Sequence, residues 1–573
     1  MFETLRIRYP SRSPTGLTNL METSPLLALR NAAFRQLWFA SLLSGICVAA
    51  HDCAAVWAMY KLNSSPLLLS LMSAVASLPF FLLIMPAGAL ADIVDRRKLL
   101  WVMNLWLAIA AAALAALGWL GLLNPYLVLL CVFLLGVGFA FTAPTWPAIL
   151  PEVVSKAELL SASTLSGLQL NIAAVVGPTV GGLLLPMIGA RWIFCLNSAC
   201  FLIVALAVLQ WKPADAAPKL PLENFLESFL TAIRYVRHSQ GVQVVLVRNA
   251  IFAFLISLIP ALIPVIGLKE VELNALGCGL MFSAIGIGSV IAAILLLGWM
   301  QARFSPNTLT VSSNLVLGIV FVLMAFVRDK TLFLFVAGLA GIGWTLCASE
   351  LWVAGQRAMP NWARARMNAT FFVVTQGAMV LGGIFWGTMT TLYGPNRTLI
   401  GGAILLFLSV IAAIPLSISF TKSLDLSVVP VTGFSHKLLT IPKADDGPVV
   451  IHYDIEVDRE HSREFLETMK HARMVYLRNG AFSWRLHEDL GRENTYRIEI
   501  MVPSWSQYLL QAERLTKAEQ IILERARSFH AGTNSLTEQM FLCVNKELHS
   551  KPKRERQSAL VSAHAVSLTN PGQ

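Results

Sequence analysis

The sequence is poor in charged residues, which make up 13% of the chain against roughly 25% in an average soluble domain. Hydrophobic residues account for 56% of it. A soluble fold of this length would have to expose much of that apolar surface to water. The composition therefore excludes an ordinary water-soluble protein and predicts a protein that crosses a membrane many times.

Cysteine pairs and nucleotide-binding loops are also missing. The eight cysteines form no Cys-x-x-Cys pair, and all except Cys543 lie inside apolar runs, which favours neither a disulfide framework nor a metal site. No glycine-rich phosphate-binding loop is present, so we expect neither ATP nor another cofactor, and no catalytic residues. The polar N-terminus shows no cleavable signal pattern. These absences argue against an enzyme.

The chain contains many long apolar runs, and about twelve of them reach the roughly 20 residues that a transmembrane helix needs. They lie near residues 36–60, 66–90, 98–121, 126–149, 164–189, 191–211, 243–268, 276–300, 307–327, 331–355, 367–393 and 397–420. Arginine and lysine concentrate in alternate loops, including those with Arg96, Arg303 and Arg357. The positive-inside rule assigns these loops to the cytoplasm. Both termini are then cytoplasmic, and the expected location is a bacterial inner membrane.

The chain divides into segments by its composition. We expect a polar cytoplasmic N-terminus (1–34), a six-helix half (35–211), a central cytoplasmic loop (212–242), a second six-helix half (243–420), a linker (421–448), a soluble domain (449–547) and a disordered tail (548–573). The halves resemble each other at an offset of about 205 residues, which aligns Gly177 with Gly382 and Asn171 with Gln376. Duplicated halves are typical of secondary transporters.

Five charged residues stand between the second and third runs, in GALADIVDRRK. The spacing Gly88-x-x-x-Asp92-x-x-Asp95-Arg96-Arg97 resembles the cytoplasmic loop motif of the major facilitator superfamily. The resemblance implies a cluster that latches the two halves together in one state and releases them in another. The alternative is that these charges only anchor the orientation of the chain.

A second motif lies in the fifth run, in NIAAVVGPTVGG. Gly177-Pro178-x-x-Gly181-Gly182 resembles the fifth-helix motif of proton-coupled exporters of the same superfamily. Proline removes a helical hydrogen bond and glycines permit close packing, so a merely well-packed helix is the alternative explanation.

Three longer stretches carry a narrower resemblance: FLLIMPAGALADIVDRRKLL, PTWPAILPEVVSKAELLSASTLSGLQLNIAAVVGPTVGG and QRAMPNWARARMNATFFVVTQGAMVLGGIFWG. They are similar to the bacterial transmembrane secretion effectors, the enterobactin-exporter-like subfamily with a C-terminal soluble domain. The implied fold is an all-α polytopic membrane protein with a 12-helix (6+6) major facilitator architecture, plus a C-terminal α+β ferredoxin-like domain.

Ionisable residues inside spans are costly, so each is a functional candidate. Asp52 is a candidate proton carrier, with the alternative that it lies in water at the outer mouth, and of His51 and Asp52 we expect only one to face a cavity. Glu350 is the second candidate, and Arg357 is a possible partner in a structural ion pair. For the substrate cavity the candidates are Asn171, Gln376, Trp57 and Phe141, each of which also fits an ordinary packing role.

The tail reads as βαββαβ from residue 449, which predicts a ferredoxin-like domain. We expect one sheet face to remain partly apolar, through residues such as Val450, Trp484 and Ile498 or their alternating neighbours. An uncovered apolar face marks an interaction site. Self-association or another binding or regulatory role therefore follows as the expectation for this domain.

Together these observations favour a secondary active transporter that exports a small, fairly hydrophobic molecule by proton antiport. The substrate remains open among siderophores, drugs and metabolites. The partners are the substrate, protons and the lipid bilayer, with no nucleic acid. Two alternatives stay open: an importer on the same fold, and a membrane-tethered sensor or enzyme that acts through the C-terminal domain.

Overall fold

The computed structural model describes residues 27–155, 157–211, 233–418, 427, 442–443, 445–532 and 538–543, apart from the side chains of residues 92–93, 361, 365–366 and 512. Most of the predicted N-terminal segment, central loop, linker and tail lie outside the described residues. The chain forms two units. The first comprises residues 1–225, 244–358 and 365–419, and the second comprises residues 226–243, 359–364 and 420–573.

Twelve helices of the described residues are long and apolar enough to cross a membrane, as predicted. Spans 1 to 6 are Ala32–Lys61, Pro66–Ile93, Arg96–Trp119, Pro125–Val153, Leu159–Ile188 and Ala190–Gln210. Span 7 joins Gln240–Ile256 to Leu258–Lys269, and span 8 runs from Ala275–Ile291 through a π-helical turn, Ala292–Leu296, to Leu297–Arg303. Spans 9 to 12 are Pro306–Phe326, Lys330–Arg357, Arg364–Tyr393 and Pro395–Ala412.

Cap chemistry sets where several spans begin. Ser65, Asn124 and Ser305 each accept a hydrogen bond from an amide in the first helical turn, and a proline follows each of them. A side-chain acceptor at the cap and a proline at the first helical position are the residues that a helix start favours. The starts near residues 66, 126 and 307 were therefore readable from the sequence.

Proline accounts for two departures from the predicted spans. Span 7 is interrupted at Ser257, because Pro260 has no N–H to donate to the carbonyl of Ile256. Span 12 ends at Ala412 instead of continuing to residue 420. Pro415 follows in a turn, where its ring disfavours a continued helix.

The second unit contains one antiparallel sheet with helices, in the predicted βαββαβ order. The elements are β1 (Val449–Glu456), α1 (Ser462–Arg478), β2 (Ser483–Glu488), β3 (Thr495–Val502), α2 (Trp505–Arg514), α3 (Lys517–Arg527) and β4 (Glu538–Leu542). The strand order is β2-β3-β1-β4, as in a ferredoxin-like domain. The sequence suggested one helix after Pro503, whereas a capping box at Thr516 and Glu519 starts a separate α3.

The outer face of this sheet keeps part of the expected apolar surface, because Val450 pairs there with Met501 and with Phe541, which is 49% exposed. Trp484 and Ile498 share the helix-facing side of the sheet with the buried core residue Ile451. On the opposite side Arg497 forms a bidentate ion pair with Asp454, and its hydrogen bonds hold the pKa of that carboxyl below its ordinary value. The prediction was wrong for Trp484 and Ile498, because alternation fixes which residues share a face but not which face the helices cover.

Two stretches from outside the C-terminal region complete the second unit. The ring of Tyr235 packs edge-on against Trp362, with 5.7 Å between the ring centroids. The indole Nε1 of Trp362 donates to the carbonyl of Arg514, and Arg234 donates to the carbonyl of Gly480. Two segments, one before span 7 and one before span 11, therefore belong to the second unit.

A buried carboxylate organises the helices of this unit. Glu519 is 5% exposed and accepts hydrogen bonds from Arg478 Nε at 2.8 Å, from Asn479 Nδ2 at 3.1 Å and from the Thr516 amide at 3.0 Å. It joins the end of α1 to the start of α3 through a charged pair that is largely shielded from water.

Replacing Glu519 with alanine should destabilise the second unit by about 3 to 5 kcal/mol, because Arg478 would be left as an uncompensated, largely buried charge. Pulse proteolysis of the full-length protein in detergent with added urea measures this change. Glu524→Ala is the matched control, since Glu524 lies on the exposed side of α3 and contacts Gln520. Equal losses for both variants would contradict the assignment.

Candidate functional site

Span 5 packs closely on spans 1 and 8 through its glycine motif. A Cβ on Gly177 would lie 2.5 Å from Ala49 Cβ, and one on Gly181 would lie 2.9 Å from Ala50 Cα. A Cβ on Gly182 would lie 2.9 Å from Gly279 Cα, across the boundary between the two halves. Real Cβ atoms do not approach so closely, so these glycines are required for the observed packing.

Hydrogen bonds join the halves in the same region. Ser283 on span 8 donates to the carbonyl of Val175 on span 5 at 2.8 Å. Ser70 on span 2 donates to the carbonyl of Ala261 on span 7 at 3.0 Å, and Lys269 Nζ donates to the carbonyl of Ser64 at 2.8 Å. We call this end of the bundle, where span 7 finishes at Lys269, the Lys269 end.

The opposite end of the bundle, which carries the loop with Arg96, is the Arg96 end. Gly88 on span 2, Gly167 on span 5 and Gly298 on span 8 lie towards it. A Cβ on any of the three would have no neighbour within 4 Å. The small-residue packing that joins the halves at the Lys269 end therefore does not continue to the Arg96 end.

The charged loop motif is bonded within the N-terminal half. Asp95 caps span 3 by accepting hydrogen bonds from the amides of Arg97 and Lys98. Arg96 forms an ion pair with Glu152 at 2.6 Å, and Arg97 donates to the carbonyl of Val208 at 3.2 Å.

No bond between the halves is made by the remaining members of this motif as far as their side chains are described. Gly88 makes no close helix contact here, and the side chain of Asp92 lies outside the described residues. The described bonds of the motif therefore brace spans 3, 4 and 6 of one half.

Arg96→Ala should lower the thermal stability of the detergent-solubilised protein. The variant loses the ion pair with Glu152 and the hydrogen bonds to the carbonyls of Ala91 and Ala148. Hydrogen bonds to charged groups contribute about 1.5 to 3 kcal/mol each. Lys98→Ala removes an equal charge from the exposed side of the loop and should change the unfolding midpoint little. A smaller loss for Arg96→Ala than for Lys98→Ala would contradict the bracing role.

His51 and Asp52 face different surroundings in span 1. His51 is buried against Phe194, with 4.7 Å between the ring centroids, and its two ring nitrogens have no hydrogen-bond partner among the described residues. Asp52 is exposed. It lies about 180° around the helix from the exposed Leu43, nine residues earlier. Leu43 has the character of a lipid-facing residue, so the carboxylate of Asp52 is directed towards the interior of the bundle.

Glu350 is the most deeply buried carboxylate of the described spans, with 1% exposure. Its Oε2 accepts a hydrogen bond from Gln301 Nε2 at 2.9 Å, which links span 10 to span 8. Span 10 does continue to Arg357, but that side chain is exposed and is not the partner of Glu350 in the described contacts.

The four predicted cavity residues do not form one cluster among the described contacts. Trp57 lies near the Lys269 end, where Lys61 Nζ is 5.2 Å from the centroid of its indole ring. The amide of Asn171 donates to the carbonyl of Gly167 on its own helix. Phe141 and Gln376 are half-buried on separate spans.

One charged residue inside a span escaped the sequence reasoning. Arg248 lies eight residues into span 7 and is 7% exposed. Its position inside the apolar run 243–268 is the sequence signal by which it could have been found. It contacts neither Asp52 nor Glu350 in the described structure.

Comparisons with known proteins agree with this architecture. A family model described as transmembrane secretion effector matches residues 23–548. The enterobactin exporter EntS of Citrobacter koseri is 27% identical over 392 residues, and EntS of Escherichia coli O1:K1 is 26% identical over 388 residues. Each alignment covers 65% of this chain and 88% of the relative.

Solved transporters share the fold at low sequence identity. A bacterial homologue of the human lysosomal transporter Spinster, in an inward-facing and unoccupied conformation, gives a TM-score of 0.58 at 13% identity, covering 69% of this chain and 98% of its own. The nucleoside transporter NupG gives a TM-score of 0.56 at 12% identity, covering 67% of this chain and 98% of its own. At such identities the likeness concerns the fold alone.

Proposed function

From the premise that this chain belongs to the transmembrane secretion effector family of the major facilitator superfamily, we propose that it exports a small, fairly hydrophobic molecule by exchange with protons. The chain is a multi-pass membrane transporter and not an enzyme. Its relatives include proteins named as enterobactin exporters. The substrate class therefore takes in siderophores, drugs and metabolites, with siderophores as the first to test.

The one-sided packing of the halves is the observation that supports alternating access in this proposal, and the relatives named as exporters support its direction. Gly182 and Gly279 hold the halves together at the Lys269 end, whereas Gly88 and Gly167 have no close neighbour towards the Arg96 end. The concentration of arginine and lysine in its loops supports a cytoplasmic position for the Arg96 end. The interior then opens to the cytoplasm in this state, and export requires a second state in which the packing is reversed.

The proposed proton carrier is Asp52. Its side chain is exposed towards the interior of the bundle, so a change in the open side would change the compartment with which it exchanges protons. Placing a carboxylate within a transmembrane span is energetically costly, and such residues mark proton pathways in transporters. Glu350 is the second candidate, because its burial and its bond to Gln301 would couple protonation to the packing of spans 8 and 10.

The charged loop takes part in the second state in this scheme. Asp92 and Arg96 would meet the opposite half when the Arg96 end closes, and Gly88 would then provide the close helix approach that is absent here. The exporter motif around Gly177 and Pro178 would serve as the surface on which spans 1 and 8 move. Asn171, Gln376, Trp57 and Phe141 remain the candidates for contact with the substrate.

A mass-spectrometric comparison of culture media tests the proposed export. Cells that express the protein should release at least one small, hydrophobic compound in greater amount than cells that lack the protein. A compound that is depleted from the medium instead would favour the importer. Unchanged media, together with a phenotype that residues 449–547 alone restore, would favour the tethered sensor or enzyme.

A further inference from the structure

Arg248 presents a charged group that the proposed transport cycle does not use. Its guanidinium donates to Thr310 Oγ1 at 2.6 Å, to the carbonyl of Leu416 at 3.4 Å and to Asn307 Oδ1. These acceptors lie on span 9 and just after span 12. All three are neutral oxygens, so they satisfy hydrogen bonds without compensating the positive charge.

The charge has no carboxylate partner within 4 Å among the residues that the structure describes. The buried carboxylate of the same half, Glu350, is bonded to Gln301 instead. Span 9 begins at Pro306 and span 12 ends at Ala412, so a partial positive and a partial negative helix end both lie near the guanidinium and neither supplies a full counter-charge. Burying a charge without a counter-charge costs several kcal/mol, and hydrogen bonds to neutral oxygens offset only part of that cost.

A small cavity adjoins the guanidinium. It is lined on its polar side by Arg248, Asn314 and Ser409, and Asn314 Nδ2 donates to Ser409 Oγ at 3.1 Å. The remaining walls are apolar and include Phe252 and Ala412. The site therefore offers a cation and polar side chains beside apolar walls, at a junction of spans 7, 9 and 12.

The other half shows that the fold does not need a charge at this junction. Gly177 packs on Ile46 and Ala49, and Gly382 packs on Phe254 and Ser257, so span 7 corresponds to span 1 at an offset of 208 positions.

By this offset Arg248 corresponds to Ala40, which is 8% exposed and belongs to an apolar cluster with Leu100 and Val208. The N-terminal half thus fills the equivalent junction of spans 1, 3 and 6 with apolar side chains. The polar lining is particular to the second half.

The depth of the cavity identifies the region of the membrane that it faces. Arg248 and Asn314 each lie eight residues into their spans from the Arg96 end, about 12 Å along the helix at 1.5 Å per residue. Ser409 lies within the last turn of span 12. Long arginine side chains extend from such positions towards the headgroup level.

We propose that Arg248, with Asn314 and Ser409, binds the phosphate group of an anionic phospholipid at the Arg96 end of the second half. Guanidinium groups recognise phosphate oxygens through paired hydrogen bonds. Basic pockets between helices on the cytoplasmic side are suited to such headgroups. A phosphate-bearing ligand supplies the negative charge that the described protein residues do not supply.

Thermal unfolding of the full-length protein in a neutral detergent tests this site. Titration with phosphatidylglycerol should raise the unfolding midpoint of the wild type, whereas phosphatidylcholine should not. Arg248→Gln should weaken the apparent affinity for phosphatidylglycerol by on the order of tenfold to a hundredfold, the equivalent of one charged hydrogen bond. Arg248→Lys keeps the charge and should retain part of the response.

Two further variants distinguish binding at this site from a non-specific effect of anionic lipid on the unfolding midpoint. Ala412→Phe keeps the arginine but fills the cavity, so it should also weaken the rise in unfolding midpoint with phosphatidylglycerol. This variant tests the site if Arg248→Gln does not fold. Lys98→Gln removes a cation from the other half and should respond as the wild type does. A wild-type response in both Arg248→Gln and Ala412→Phe, or an equal response to phosphatidylcholine, would overturn the proposal.

Inorganic phosphate added without anionic lipid distinguishes the source of the phosphate group. A midpoint shift that phosphate reproduces and Arg248→Gln removes supports the phosphate site but assigns it to a soluble ligand. A shift produced by phosphatidylglycerol and not by phosphate assigns it to the lipid. The assay measures binding without transport, so a negative result would not bear on the proposed export. A negative result for export would likewise not bear on lipid binding.

Discussion

Asparagine in place of Asp52 should reduce export driven by a pH gradient to the background of vesicles without protein. The amide preserves the size and polarity of the side chain but cannot bind and release a proton near neutral pH. Substrate binding, and exchange of substrate down its own gradient, should persist because neither needs net proton movement. The measurement is substrate flux in reconstituted vesicles, with and without an imposed pH gradient.

The control for this prediction is Asp52→Glu, which keeps a carboxylate at the same position and should retain part of the gradient-driven flux. His51→Ala changes the neighbouring residue on a different, buried side of span 1. Wild-type gradient-driven flux in Asp52→Asn would exclude Asp52 as the carrier. Glu350→Gln would then become the variant to test.

Gly279→Ala and Gly88→Ala should have different effects on the equilibrium between the two states of the transporter. A Cβ on Gly279 would lie 2.3 Å from the carbonyl oxygen of Pro178 and 2.7 Å from Gly182 Cα, so the halves must separate at the Lys269 end. Overpacking of this kind costs about 1 to 3 kcal/mol, which changes the ratio of two states on the order of tenfold. The state that opens at the Lys269 end should therefore become more populated.

Gly88→Ala meets no atom within 4 Å in the present state and should not destabilise it. If Gly88 approaches the opposite half when the Arg96 end closes, the added methyl group disfavours that closed state. Reaction of single cysteines with a membrane-impermeant maleimide measures both effects, with Ser64→Cys reporting on the Lys269 end and Gly167→Cys on the Arg96 end. Gly279→Ala should accelerate labelling at Ser64→Cys, and Gly88→Ala should not. Identical labelling in the two variants would contradict one-sided packing.

Much of the fold was predictable because its signals are local. An apolar run long enough to span a membrane, a Ser–Pro or Asn–Pro pair at its start and an alternating pattern in the tail each specify one element without reference to the rest of the chain. The boundaries that differed depended on residues whose effect is also local, such as Pro260 and Pro415. The capping box at Thr516 was readable in the same way.

The candidate site was less predictable because it depends on which faces of separate helices meet. The sequence identified the glycines of span 5, but it did not identify Gly279 as the partner of Gly182. It identified Asp52 and His51 as neighbours without deciding which one is buried against Phe194. Arg248 became conspicuous only when its neutral partners on span 9 were known, since one arginine in an apolar run has the same appearance whether or not a carboxylate faces it.

The most direct test of proton-driven export is the direction of substrate movement under an imposed gradient. Vesicles that contain the purified protein and an acidic lumen should accumulate the substrate from a neutral medium, because protons that leave through an antiporter drive substrate inward. A protonophore should abolish the accumulation, and Asp52→Asn should not show it. Accumulation that is independent of the gradient, or that requires an alkaline lumen, would contradict antiport.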